Sequence, residues 1–168
     1  NAFYGCSSLR GELRLPDSLE TIGEFAFYNC SGITGELTIP DKVSMLSYGV
    51  FAGVTGVAAL TIGSGMNYIR TDSDSWHAFY QMNGVKTVTF RGVTPPSRNY
   101  ISIFYSMLNL ETVYVPEGTY KAYVEVYKDN MPEWVRLKEI GSGDFLISDG
   151  ELISYSGNDK EVTVPEGV

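Results

Sequence analysis

The chain is poor in the residues on which most chemistry depends. It has one histidine, His77, and two cysteines, Cys6 and Cys30, among 168 residues. A zinc cluster of ordinary composition is therefore excluded, and a histidine-based triad would depend wholly on His77. No run of about 18 apolar residues occurs, so no membrane-spanning helix is encoded. Lys and Arg number 12 against 20 Asp and Glu, a formal charge of −8. Nucleic acid is a poor partner for such a chain, because phosphate binding needs clustered cations. No G-x-S-x-G, P-loop or dinucleotide-binding glycine pattern is present. What is abundant is Gly, at 18, and Tyr, at 12, with charged residues only 19% of the chain. That composition suits many short strands joined by turns, with aromatic side chains filling a thin core.

The dominant signal is internal repetition. Ala2-Phe3-Tyr4-Gly5-Cys6-Ser7 returns 24 residues later as Ala26-Phe27-Tyr28-Asn29-Cys30-Ser31. Gly11-Glu12-Leu13-Arg14-Leu15-Pro16-Asp17 returns at the same offset as Gly35-Glu36-Leu37-Thr38-Ile39-Pro40-Asp41. Later copies follow through Phe51, Phe79 and Phe104, spaced 24, 28 and 25 from the one before. The apolar pairs Leu13/Leu15, Leu37/Ile39, Leu60/Ile62, Val88/Phe90 and Val113/Val115 keep nearly the same register, 24, 23, 28 and 25 apart. A fixed period of this size marks a solenoid, in which neighbouring copies bury a core that no single copy could.

One copy reads L-x-L-P-x-x-L-x-x-I-G-x-x-A-F-x-x-C from Leu13 to Cys30. This resembles the leucine-rich repeat, and more narrowly the BspA-like type of bacterial surface proteins, whose mark is the A-F-x-x-C box. Later copies drift: Cys30 is matched by Val54, Met82 and Met107, and Pro40 by Gly63 and Gly92. The resemblance implies a leucine-rich repeat solenoid of the α/β superhelix class, mostly short parallel strands and turns with one C-terminal capping helix. Residues 1–116 form about five coils, entered in mid-repeat. Residues 117–140 are a helix-containing cap, and 141–168 are a β-hairpin and the start of a second repeat block. Both ends cut through the pattern, so a fragment of a longer repeat protein is expected.

Local physics supports the same layout. In L-x-L the outer two side chains share one face and the middle one points away. Proline after the strand cannot donate to a ladder and so ends it. Gly23 and Gly49 are expected to give backbone freedom at the bends. The side from Leu19 to Tyr28 is too short and glycine-interrupted for a long helix, and turns are expected there. The third unit is longer by about four residues around Arg70 to His77, read as a surface loop. Tyr120, Tyr123, Val124 and Tyr127 fall on one helical face, which predicts a helix over 119–129 with Thr119 as N-cap. Trp134 to Ile140 alternates as a short strand should. Phe145–Ser148 and Glu151–Tyr155 flank Asp149-Gly150, a hairpin turn pair, and Glu161 to Gly167 restates the repeat strand.

The candidate ligand-binding row consists of the outward strand residues Arg14, Thr38, Thr61, Thr89 and Tyr114, expected on the concave sheet face. Such a face is a long preformed surface with independently variable positions, although threonine is also simply a good strand former. Cys6 and Cys30 occupy equivalent places in adjacent coils, roughly 5 Å apart. Either a disulfide or two stacked buried thiols is consistent with that spacing. Asp72-x-Asp74 lacks the glycine and distant glutamate of a calcium loop, and His77 lacks companion ligands, so neither predicts a metal site. Glu12 and Glu36 face like with like on neighbouring rungs and form no catalytic dyad. No cofactor and no enzymatic activity are expected. The resemblance implies a monomeric binding or adhesion module, secreted or on a bacterial cell surface, whose partner is an extracellular protein or glycan of a host or neighbouring cell. Carbohydrate recognition through Trp76, Tyr100, Tyr105 and Tyr114 in one groove, or a passive spacer role, are the alternatives.

Overall fold

The computed structural model describes residues 1–71, 76–98, 102–129, 131–140, 145–148 and 151–155, the last two segments as backbone only. Asp72, Asp74, Tyr100, Asp149-Gly150 and the strand expected at 161–167 lie outside these residues. Five parallel strands stack in chain order into one sheet: β1 (Thr34–Ile39), β3 (Gly56–Ile62), β5 (Thr87–Phe90), β7 (Thr112–Pro116) and β8 (Arg136–Ile140). Parallel neighbours need a crossover, and here the crossover is the rest of each coil. Its first part is a two-residue strand, β2 (Met45–Leu46), β4 (Tyr68–Ile69) or β6 (Ser97–Arg98), and these three make a second parallel sheet. The phenylalanine box then turns the chain back.

Strand alternation sends Leu37/Ile39, Leu60/Ile62, Val88/Phe90 and Val113/Val115 into the core, all almost fully buried. From the opposite side Phe27, Phe51 and Phe79 stack face to face, with centroids 5.4 and 6.3 Å apart. Phe3 continues the stack 5.2 Å from Phe27 but stands half exposed at the first coil. Cys30, Val54, Met82 and Met107 occupy equivalent buried positions, so the sulfur and aliphatic substitutions preserve volume rather than chemistry.

The box side is knitted by its own ladder. The N–H groups of Phe3 and Gly5 donate to Ala26 and Tyr28, those of Phe25, Phe27 and Asn29 to Tyr48, Val50 and Ala52, and those of Gly49, Phe51 and Gly53 to Trp76, Ala78 and Tyr80. Every second residue donates to the next coil, and left-handed conformations fall on donor positions of this ladder rather than on the residues between them. Gly5, Asn29, Gly53 and Gln81 are one such set, with φ of 70°, 53°, 76° and 57°. Gly49 has φ 55° as its role requires, but Gly23 does not; the equivalent strained position in its coil is Phe25, at φ 52°. A β-carbon on Gly49 would collide with the Phe25 ring, so the glycine gives that ring its room.

The helix is α1 (Tyr120–Tyr127), entered from β7 where earlier coils enter their short strands. Its buried Tyr123 and Tyr127 pack on Phe90, at 5.0 and 6.0 Å, and their hydroxyls donate to the Gly92 and Pro96 carbonyls. Burial pushes both phenols well above their ordinary range. The helix N-terminus is not capped by the expected Thr119 side chain. Thr119 stands at the cap position, yet its hydroxyl donates backward to Pro116, and the Tyr120 N–H is taken by Glu139 of β8 at 2.7 Å. A carboxylate at a helix N-terminus satisfies an orphan donor and complements the dipole. After β8, Phe145–Ser148 (β9) and Glu151–Tyr155 (β10) pair antiparallel.

Candidate binding face and its flanking cleft

Strand register decides which outward residues meet. Thr38 pairs with Thr61, Thr61 with Thr89, Thr89 with Tyr114 and Tyr114 with Lys138. Four of the five residues predicted as a row are thus adjacent across the sheet, and Lys138 extends them. Arg14 does not join. The first coil meets β1 through a single bridge, Gly11 to Ile33, and Leu13 to Leu15 form no strand. Arg14 instead holds Glu12 at 3.2 Å, fully in solvent.

A second outward row lies two residues earlier: Glu36, Ala59, Thr87, Thr112 and Arg136. It went unnoticed in the sequence because Ala and Thr immediately before each apolar pair look unremarkable. The period-2 rule alone would have found it. The two rows grade from Glu36 on β1 through neutral threonines to Arg136 and Lys138 on β8. On a chain of net charge −8, that places two adjacent cations at one end of the face.

Beside that end lies a cleft of about 300 Å³ lined by Glu111, Thr112, Trp134 and Arg136. Trp134 is 62% exposed, and its indole N–H donates to the Leu110 carbonyl at 3.1 Å. Glu111 and Arg136 are both exposed and, among the described residues, form no salt bridge with each other. A second cleft, about 400 Å³, opens on the first coil among Phe3, Leu13, Leu15, Leu19 and Phe27. It is the uncovered end of the core, where Phe3 has a ring on one side only.

Among the described residues, the aromatics considered for a glycan groove are split between the sheet face and the box side. Tyr114 lies half-buried on the sheet face. Trp76 packs on Phe25 and Tyr28, at 5.4 and 5.8 Å, on the box side, where Tyr4 stacks on Tyr28 at 4.8 Å. Tyr105 stands near His77, and Tyr100 is outside the described residues. His77 itself is buried, with Nε2 3.0 Å from the Ser106 hydroxyl, a contact tying the fourth coil to the fifth. The cysteines are unbridged and unlike. Cys6 is exposed rather than stacked in the core, whereas Cys30 is buried and donates to the Phe3 carbonyl at 3.0 Å. Burial pushes the Cys30 thiol up. Among the described residues no group of three or more His, Cys, Asp or Glu side chains is placed to hold a metal ion, and no helix is long and apolar enough to cross a membrane.

Parallel strands stacked coil on coil in chain order, around a shared single-layer core and with one short helix, define a leucine-rich repeat solenoid. The repeat type is equally definite. The chain belongs to the BspA type leucine rich repeat family, whose repeat region matches six times over residues 1–131. No curated protein and no solved structure matches it.

Proposed function

We propose that this chain is a non-enzymatic protein-binding or adhesion module of a bacterial cell-surface or secreted protein. Binding falls on the outward face of the five-stranded sheet, and the partner is an extracellular protein of a host or neighbouring cell. The observation that carries this reading is the register that sets Thr38, Thr61, Thr89, Tyr114 and Lys138 side by side. Backbone hydrogen bonds fix these positions, so the side chains can vary without cost to the core, which is what a recognition surface needs. Membership in the BspA type supports a surface role. The polar, graded character of the two rows favours electrostatic steering of a partner over burial of a large apolar area.

The test is the double substitution Thr38→Arg with Thr61→Arg, assayed by surface plasmon resonance on immobilised extracellular-matrix proteins. Both side chains point outward, so the melting curve should be unchanged while binding is lost. Binding retained with an unchanged melting curve removes this face from the reading.

A further inference from the structure

The cleft at Glu111, Thr112, Trp134 and Arg136 has the parts of a ligand site in its own right. Its tryptophan is exposed yet not free to reorient, because its only polar atom is committed to the Leu110 carbonyl. With that donor used, Trp134 has only its π face to offer. Around it stand an acceptor-only carboxylate, a five-donor guanidinium and a hydroxyl that does both. Glu111 and Arg136 border the same cleft without pairing, although oppositely charged neighbours at a surface pair readily. Strand register holds Arg136 against Thr112, and the Arg136 N–H is tied to the Glu111 carbonyl at 3.0 Å, so the backbone under the site is fixed.

We infer that this cleft is a saccharide-binding subsite, holding one pyranose ring against Trp134. A pyranose has one face of C–H groups and a rim of hydroxyls. The C–H face matches a fixed indole. Each hydroxyl can donate to the Glu111 carboxylate while accepting from Arg136 or Thr112, and such charge-assisted bonds are the strong ones. The ligand thereby spans two complementary groups that the protein keeps apart. The cleft volume lies at the low end of the roughly 300–1,000 Å³ typical of small-molecule sites, which suits a terminal sugar rather than a long chain. The subsite neither needs nor excludes a protein contact on the sheet face. A glycoprotein would engage both, its polypeptide on the threonine rows and its glycan at Trp134.

The experiment is saturation-transfer NMR on the full chain with the methyl glycosides of galactose, glucose, N-acetylglucosamine and N-acetylneuraminic acid, each at about 10 mM, a concentration set by the millimolar affinity expected of so small a ligand. Transfer to the ring protons of at least one sugar is expected. It should fall about tenfold in Trp134→Ala and in Arg136→Ala and persist in Trp76→Ala and in Thr38→Arg with Thr61→Arg. The last variant separates failure of this site from failure of the sheet-face reading. Arg136 is exposed, so Arg136→Ala reports even where Trp134→Ala destabilises the cap. Transfer from none of the four sugars, or transfer undiminished in both cleft variants, overturns the inference. So does a matrix protein that loses binding on Trp134→Ala but binds unchanged after enzymatic deglycosylation, which would make the cleft a peptide site.

Discussion

The phenylalanine stack is the feature most exposed to a decisive test, through Phe51→Ala set beside Phe3→Ala. Phe51 is fully buried and carries a parallel ring on each side, Phe27 at 5.4 Å and Phe79 at 6.3 Å. Removing it empties the middle of a core one layer thick, and the neighbouring coils cannot close the gap because ladder bonds fix their spacing. A Phe→Ala change in such a site costs about 3–5 kcal/mol, with the lost ring contacts placing it in the upper half of that range. Phe3 has the same residue type and the same place in its repeat, but it is 45% exposed and stacked on one side only. Its loss should cost about 1 kcal/mol. With a urea m-value of about 2 kcal/mol per molar, the midpoint followed by circular dichroism should fall by about 2 M for Phe51→Ala and by about 0.5 M for Phe3→Ala. Phe51→Leu, which restores most of the volume without the ring, should fall between them. Equal midpoints for the two alanine variants would refute the claim that a ring inside the stack contributes more than the ring at its exposed end.

Gly53→Ala should destabilise by about 2 kcal/mol, since its φ is 76° and the added methyl would run into Asn29 Oδ1; Asn29→Gly in the same chain should restore part of the loss in the same urea assay. Glu139→Ala should cost about 1 kcal/mol and raise amide exchange in the first turn of α1, whereas Thr119→Ala should leave those amides protected. Iodoacetamide should label Cys6 in the native protein and Cys30 only in denaturant, read by mass spectrometry, because Cys30 is buried with a raised pKa. Burial raises the folded-state pKa of Tyr123 and Tyr127, so their contribution is complete below about pH 10, the unfolded value, and is lost as pH rises from there through the folded value. The melting temperature should therefore drop above about pH 10, and less steeply in Tyr127→Phe, which has no proton to lose.

Much of the fold was legible because repetition multiplies weak signals. One L-x-L pair is ambiguous between strand and buried helix, but five pairs in step with five phenylalanines leave only a stacked coil, and the sheet order β1-β3-β5-β7-β8 follows that step. The missed parts are those that do not repeat in sequence or are too short to have a period. The sheet of β2, β4 and β6 has two residues per strand, Met45–Leu46, Tyr68–Ile69 and Ser97–Arg98, with no common pattern. Thr119 had every local mark of a cap, yet the group that serves comes from Glu139, on the strand beyond the helix. Gly23 looked like the bend, and the strain fell on Phe25, because the left-handed position is set by the ladder between coils rather than by residue preference.

The binding face shows the same division. Thr38, Thr61, Thr89 and Tyr114 could be aligned from the repeat alone, since register in a parallel stack copies offset in sequence. Arg14 shared that offset and still failed to join, because a strand needs neighbours to hydrogen-bond with and the first coil has only the Gly11 bridge to β1. Lys138 and Arg136 joined although the repeat pattern had ended, because β8 pairs with β7 in the geometry of one more rung. Membership of the face is therefore decided by pairing, not by motif. The same pairing fixes Arg136 beside Thr112, while the indole bond to Leu110 tethers Trp134 at that edge. The residues where sequence reasoning expected only a cap thus supply both the charge on the sheet face and the aromatic surface next to it.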